Sequence, residues 1–333
     1  MTAPTVLTVI VNWRSAAMTL DAAAAAVAAM EGIAGAVTIV DNDSGDGSFE
    51  TMTAEVARRG WNGRVRVIAS GRNGGFGYGN NAGIRAGLPG GVQPDFVYLL
   101  NSDAFPRPDA VRRLLDHLSA SPEVGLAGSY IEGPDGTPHE TAFRFPSIWS
   151  EFEGAARTGP ISRLLAAHVV PLPIPQGTAR VDWLAGASVM IRRSVLDAVG
   201  LFDETFFLYF EETDLCRRAA AAGWPTHYVR SSVVVHIGSE TTGMKRWRRM
   251  PGYWFASRRH YFVKTHGAVY AALATAAHVA GGMIWRLRCL IERKPLRDPP
   301  GFLRDLIAHD LGALVRARPA PSIPLLPESR RTQ

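Results

Sequence analysis

Four stretches of this chain concentrate side chains that can do chemistry, and three of them close an apolar run. Asn12 follows Val6–Val11, Asp41-Asn42-Asp43-Ser44 follows Ala36–Val40, and Asn101-Ser102-Asp103 follows Phe96–Leu100. Carboxylates and amides gathered at one edge of a sheet make a polar cleft, where ligands sit in such folds. The same residue types also cap helices and form turns, so no single strand end is diagnostic. The fourth stretch runs Phe206-Phe207-Leu208-Tyr209-Phe210-Glu211-Glu212-Thr213-Asp214, three acids within four residues after an aromatic run. Acids at a helix start offset its dipole. Adjacent carboxylates beside aromatic surface also hold their protons more tightly, which suits a general base. His236 follows the apolar Val233–Val235. A histidine there is commonly a hydrogen-bonded structural group, and becomes a ligand candidate once an acid stands beside it.

A further segment, from Gly71 through Arg72-Asn73 to Gly83, is dense in glycine and runs into a helix. Backbone N–H groups in such a loop can approach a phosphate closely. Its spacing does not fit the dinucleotide fingerprint, it follows the third strand rather than the first, and it lacks the Lys-Ser/Thr ending of a P-loop.

These residues need a scaffold that brings strand ends together, and the first ~130 residues alternate in strand and helix character. Strands are expected at Val6–Val11, Ala36–Val40, Arg64–Ile68, Phe96–Leu100 and Val124–Ile131, with helices at Ala16–Met30, Phe49–Arg59, up to about Leu88, and Pro108–Ser119. Repeated β-α-β units of this length imply a mostly parallel, Rossmann-like α/β sheet flanked by helices on both faces. Pro/Gly-rich Gly133–Pro138 and Pro171–Gly177 bracket a less regular middle. A strand-like Val181–Arg192, a helix opening near Glu211 and a strand pair around Pro225–Ile237 follow.

Composition narrows the class. The 333 residues are 47% hydrophobic and 20% charged, enough for a sizeable core and unlike a disordered chain. Cys216 and Cys289 are too few for a disulfide framework or a zinc cluster. Val6–Val11 is short for a signal peptide, so a cytoplasmic chain is expected. The net charge of +6 is uneven: 13 Lys/Arg face two acids between Lys245 and Arg304, a surplus of eleven that leaves the remainder at −5. That basic third favours an anionic partner.

The ordered segments Asp41-Asn-Asp-Ser, Arg72-Asn-Gly-Gly-Phe-Gly-Tyr-Gly-Asn-Asn81, Asn101-Ser-Asp103, Trp183-Leu-Ala-Gly186, Gly200-Leu-Phe-Asp203, Glu211-Glu-Thr-Asp214-Leu-Cys-Arg and His236-Ile-Gly-Ser239 resemble family 2 glycosyltransferases. The likeness spans residues 5 to 240 and is strongest to the rhamnosyltransferase branch that builds cell-wall and surface polysaccharides. It implies a GT-A fold over residues 1–240, followed by a basic, aromatic helical extension at 241–333. It implies that Asp41 accepts a hydrogen bond from the N3–H of uracil or thymine, hence UDP- or dTDP-sugar donors. Asn12, Arg72, Asn73, Asn81 and Asn101 would help hold the nucleotide sugar. Asp103 is similar to the last acid of the family's DXD motif and, with His236, would hold Mg²⁺ or Mn²⁺ on the diphosphate. Glu212 would deprotonate the acceptor hydroxyl, giving inversion by one displacement, while Trp183 and Gly186 would line the acceptor side. Two positions depart from the pattern. Asn101 leaves the DXD motif one carboxylate, and Glu212 stands where Asp is usual, which keeps Glu211 and Asp214 open as bases. A non-catalytic nucleotide-sugar-binding protein of the same fold is the alternative.

Ala268–Leu287 has the length of a bilayer span but is only weakly hydrophobic, with His266 and His278 at or near its edges. Aromatic and basic residues, among them Trp247, Arg248, Tyr253 and Trp285, surround it. They suit a membrane interface, so peripheral attachment to the cytoplasmic face of the inner membrane and a glycan or polyprenyl-diphosphate-linked acceptor are expected. Bases interleaved with apolar residues, without a recognised module, do not suit nucleic acid.

Overall fold

The computed structural model describes residues 3–238, 248–296 and 298–315; Ser239, Lys245 and Trp247 lie outside the described residues. The first half alternates as read: β1 (Thr5–Asn12), α1 (Ala16–Ala29), β2 (Ala34–Asp41), α2 (Ser48–Arg58), β3 (Val65–Ala69), α3 (Gly75–Ala86), β4 (Phe96–Asn101), β5 (Ala104–Pro106), α4 (Ala110–Ala120) and β6 (Leu126–Glu132). The irregular middle holds β7 (Ala142–Phe143), α5 (Ile148–Ala156), α6 (Gly159–Leu164), β8 (Ala179–Val181) and β9 (Trp183–Leu184). Then come β10 (Ser188–Arg192), α7 (Arg193–Val199), α8 (Glu211–Ala221), β11 (Thr226–His236), α9 (Gly252–His266), α10 (Ala268–Glu292) and α11 (Phe302–Val315).

The main sheet runs β3-β2-β1-β4-β10-β6-β11-β5, with β8 also paired to β11. The pairs among β1 to β4 are parallel, as is β6 with β11, while β10 enters antiparallel between β4 and β6. Successive β1 residues bury on opposite faces, Val6 and Ile10 under α1, α2 and α4, Leu7 and Val9 under α3, α7 and α8. This two-sided burial is what a continuous apolar run provides. Ala22, Ala23, Ala26 and Ala29 are buried in α1, small enough to bring it close to the sheet.

Three sequence expectations change. Val181–Arg192 is three short strands, because the chain turns through Gly186 to reach β10. Pro225–Ile237 is one strand rather than a pair: no Gly or Pro interrupts Arg230–Ser232, and the chain absorbs that stretch as a register shift between Val229 and Val233. The glycine-dense segment is mostly helix. Gly79 and Gly83, four apart on α3, press on Val11 and Val9, where an added Cβ would lie 2.7 and 2.5 Å from side-chain carbons. Close helix-on-sheet packing explains those glycines without a phosphate.

Gly75 has another task. Its φ is +88°, and a Cβ there would stand 1.7 Å from the Phe207 carbonyl oxygen, which accepts a hydrogen bond from the Phe76 amide at 3.1 Å. Gly75→Ala is therefore expected to cost about 3 kcal/mol, seen as a lower denaturant midpoint, because overpacking and left-handed strain add.

The C-terminal helices fold back on this body. Phe206, Tyr261, Phe262 and Ala271 share one apolar cluster. Lys264 of α9 reaches both Asp203 at 2.8 Å and Asp214 at 2.8 Å.

Candidate active site

Parallel register places Asn12 opposite Asp41 and Val11 opposite Asn101, so three strand ends meet at one edge. Asn12 donates to Asp41 Oδ1 at 2.8 Å and to Ser44 Oγ at 3.0 Å, and accepts from Thr19 at 2.7 Å. The Ser44 hydroxyl also donates to Asp41 Oδ1, at 2.6 Å, and its amide to Oδ2 at 3.2 Å. Asn12 is fully buried, so it orients Asp41 rather than reaching outward. Asp41 lines a cavity of about 450 Å³ with Asp43, Gly45, Ser48, Phe49 and Ala69.

The loop beside this cavity is tied down by Asn42, which donates to Asn73 Oδ1 and to the Gly75 carbonyl, each at 3.1 Å. Arg72 is exposed, with its guanidinium 4.5 Å from the Tyr78 ring centre. Asn81 is placed elsewhere. It is fully buried, accepts from the Phe202 amide at 3.0 Å and donates to the Phe202 carbonyl and Glu204 at 2.9 Å each. Its amide is consumed in bracketing α3 to the 202–204 turn.

Asp103 lies between β4 and β5. Because β5 pairs antiparallel with β11, His236 falls opposite Ala104, and its Nε2 comes 3.0 Å from Asp103 Oδ1. The Gly238 amide donates to Oδ2 at 3.2 Å, and Asn101 Nδ2 stands 3.4 Å from His236 Nε2. Burial pushes the Asp103 carboxyl up, but the His236 hydrogen bond and charge and the Gly238 amide outweigh it, leaving the group below its ordinary value. Asp103 is thus an anion poised beside an imidazole. No cluster of three or more His, Cys, Asp or Glu able to hold a metal exists among the described residues.

α8 starts on a strained turn. Tyr209 and Phe210 have φ of 69° and 71°, left-handed values that bulky residues rarely adopt. Ser257 fixes the turn by donating to the Leu208 carbonyl at 3.0 Å, and Phe210 packs on Trp254 and Tyr261. The three first-turn acids then diverge. Asp214 accepts from Arg218 and Lys264 and is spent as an ion-pair anchor. Glu211 is 2% exposed and one of its oxygens has no partner; burial, then the charge of Glu212, push its carboxyl well up. Glu212 keeps part of its surface exposed, yet its Oε2 is covered and unpartnered. Burial raises it too, against the pull of its own amide and that of Gly186.

Gly186 links the two sides. An added Cβ there would meet the Phe76 ring at 3.1 Å and lie 3.8 Å from Glu212 Oε1, while the next carbonyl, of Ala187, accepts from the Asn101 amide at 3.0 Å. Trp183 stacks on Phe143 at 4.2 Å and donates to the Arg144 carbonyl at 2.9 Å.

A family model described as glycosyltransferase like family 2 matches residues 3–260. The chain belongs to this family. The family 2 chain has the GT-A fold. Its relatives include the N-acetylglucosaminyl-diphospho-decaprenol L-rhamnosyltransferase of Mycobacterium tuberculosis H37Rv, 34% identical over 224 residues, which are 62% of this chain and 68% of that protein. Rhamnosyltransferase WbbL of Escherichia coli K12 is 27% identical over 168 residues, 49% of this chain and 60% of WbbL. Among solved structures, the mannosyltransferase PcManGT of Pyrobaculum calidifontis, in complex with GDP-Man and Mn²⁺, matches with a TM-score of 0.53 at 13% identity, over 96% of this chain and 89% of that one. That last likeness is one of fold.

Thr19 and Lys264 contribute to the site without any local sequence signal, whereas Asn42 belongs to the polar Asp41–Ser44 run. Lys264 lies 50 residues after Asp214, and nothing in its neighbourhood marks it.

Proposed function

We propose that this chain is an inverting glycosyltransferase that moves rhamnose from dTDP-rhamnose, or another sugar from a UDP or dTDP donor. The acceptor is a hydroxyl of a glycan or polyprenyl-diphosphate-linked sugar, in cell-surface polysaccharide synthesis at the cytoplasmic face of the membrane. The observation that supports it most is the Gly186–Ala187 connection: Ala187 accepts from Asn101 beside the Asp103–His236 contact, and Gly186 lies next to Glu212, whose carboxyl burial raises. The mycobacterial relative, by its name, uses a diphosphate-linked polyprenyl acceptor, and this supports the acceptor class.

In this reading Asp41 holds the base and Asp103 faces the diphosphate. Glu212 takes the acceptor's proton as that oxygen attacks the anomeric carbon from the side opposite the diphosphate. The bond to the diphosphate breaks with its electron pair, and configuration inverts in a single step. The Asp103 carboxylate is an oxygen ligand of the kind that Mg²⁺ and Mn²⁺ take, and the His236 imidazole beside it suits Mn²⁺ better than Mg²⁺. Such an ion would be held by Asp103 and His236 and would stabilise charge on the leaving diphosphate as a Lewis acid.

The test is incubation of the full chain with a panel of UDP- and dTDP-sugars and a short polyprenyl-diphosphate N-acetylglucosamine, reading the product's anomeric configuration by NMR. Retention would sink the single displacement. Donor binding without any product would instead make the chain a nucleotide-sugar-binding protein.

A further inference from the structure

Ten of the fourteen large hydrophobic side chains exposed among the described residues lie between Val269 and Leu311. Seven belong to α10, and they are not scattered. Val269, Leu273, Met283, Leu287 and Leu290 recur at intervals compatible with one helix face, and Ala276 and Ala280 fill the gap between them. The result is an uncharged stripe roughly 30 Å long.

The opposite face of α10 is closed by protein. A Cβ at Gly281 would lie 2.4 Å from the Phe152 carbonyl, so α5 and α10 touch backbone to backbone. On the same side, Arg258, 1% exposed, pairs with Glu151 at 2.8 Å and donates to Thr275 at 3.0 Å, while His278 meets Glu151 at 2.7 Å. The helix has the length and composition of a span. A helix with its inner face fastened by buried ion pairs cannot be ringed by lipid, so the stripe is a surface to be laid on something.

Charge selects the occupant. Around the C-terminal end of α10 each acid serves two cations: Glu292 takes Arg288 and Lys294, and Asp298 takes Arg157 and Arg286. Asp305 likewise takes Arg249 and Arg304. With exposed Arg293, seven cations face three acids. A second copy laid on the stripe would bring the same surplus, whereas anionic headgroups neutralise it.

We propose that α10 lies in the plane of an anionic membrane surface, its apolar stripe among the lipids and its basic end on the headgroups. This deepens the membrane location proposed above and rests on it. The full chain should float with vesicles of phosphatidylcholine and phosphatidylglycerol, less with phosphatidylcholine alone, and less as salt rises. Leu287→Glu with Leu290→Glu should lower that partition about tenfold or more while the melting temperature stays near the parent's. Single Leu273→Trp and Leu290→Trp proteins should be quenched equally by lipids brominated near the headgroup. Quenching at graded depths would mean the helix crosses, and overturns the proposal. So would unchanged partition of the double variant, or light scattering that shows a dimer the double variant dissociates. Flotation uses no sugar, and transfer to a water-soluble acceptor uses no vesicles, so either reading can fail alone.

Discussion

In a Glu212→Gln protein, the transfer rate is expected to fall about a thousandfold while the donor's Kd stays unchanged, because a general base contributes roughly 10²–10⁴ and touches only the acceptor. Rapid-quench transfer and calorimetric donor binding measure the two quantities. The pH profile adds a sign. As the proposed base, Glu212 would work ionised; burial lifts its carboxyl above the ordinary 4.5, so the rate should climb as pH rises through that raised value and then level off. Burial and the charge of Glu212 hold the Glu211 carboxyl well above 4.5, which disfavours its ionised form. Glu211→Gln should therefore leave most of the rate and the acidic limb in place. It should also raise the melting temperature at alkaline pH and not at pH 4. A group with a raised folded pKa stabilises fully below its unfolded value, and that stability is lost as pH climbs through the folded one. Full turnover by Glu212→Gln, with loss in Glu211→Gln, would move the base one residue back.

Asp103→Asn carries the second large effect. It keeps the shape facing His236 and Gly238 but removes the charge, so Mn²⁺-dependent donor binding should weaken about a hundredfold. Titration of donor with Mn²⁺ and again with a chelator checks this. The variant and its parent should differ with the metal and converge without it. Equal weakening in both conditions would mean that Asp103 only braces the β11 end through Gly238 and Ile237, whose amide donates to the Asp103 carbonyl at 3.1 Å.

The parts legible in sequence are those whose cause is local. An apolar run that ends in a polar residue marks a buried parallel strand, and β1, β2 and β4 all show it, Asn12, Asp41 and Asn101 being their last residues. Three acids after an aromatic run mark α8. What escaped depends on partners remote in the chain. Asn81 and Asn73 look alike in one glycine-rich string, yet the 202–204 turn claims Asn81, while Asn73 bonds Asn42 and the Gly75 amide. Glu212 reads as the base with Glu211 and Asp214 open beside it, and only the structure shows Lys264 and Arg218 neutralising the last. β10 runs against its neighbours, a reversal that no periodicity in Ser188–Arg192 encodes.

The grip of α9 on the turn before α8 has a consequence for anyone exchanging segments between relatives. Ser257, Trp254 and Tyr261 hold the left-handed Tyr209–Phe210 pair, and Lys264 holds Asp214, so the aim of Glu212 is set in part by chain forty to fifty residues downstream. A graft meant only to replace the C-terminal helices has to be joined beyond Lys264. Joined at residue 240, it would carry a foreign brace into the candidate active site.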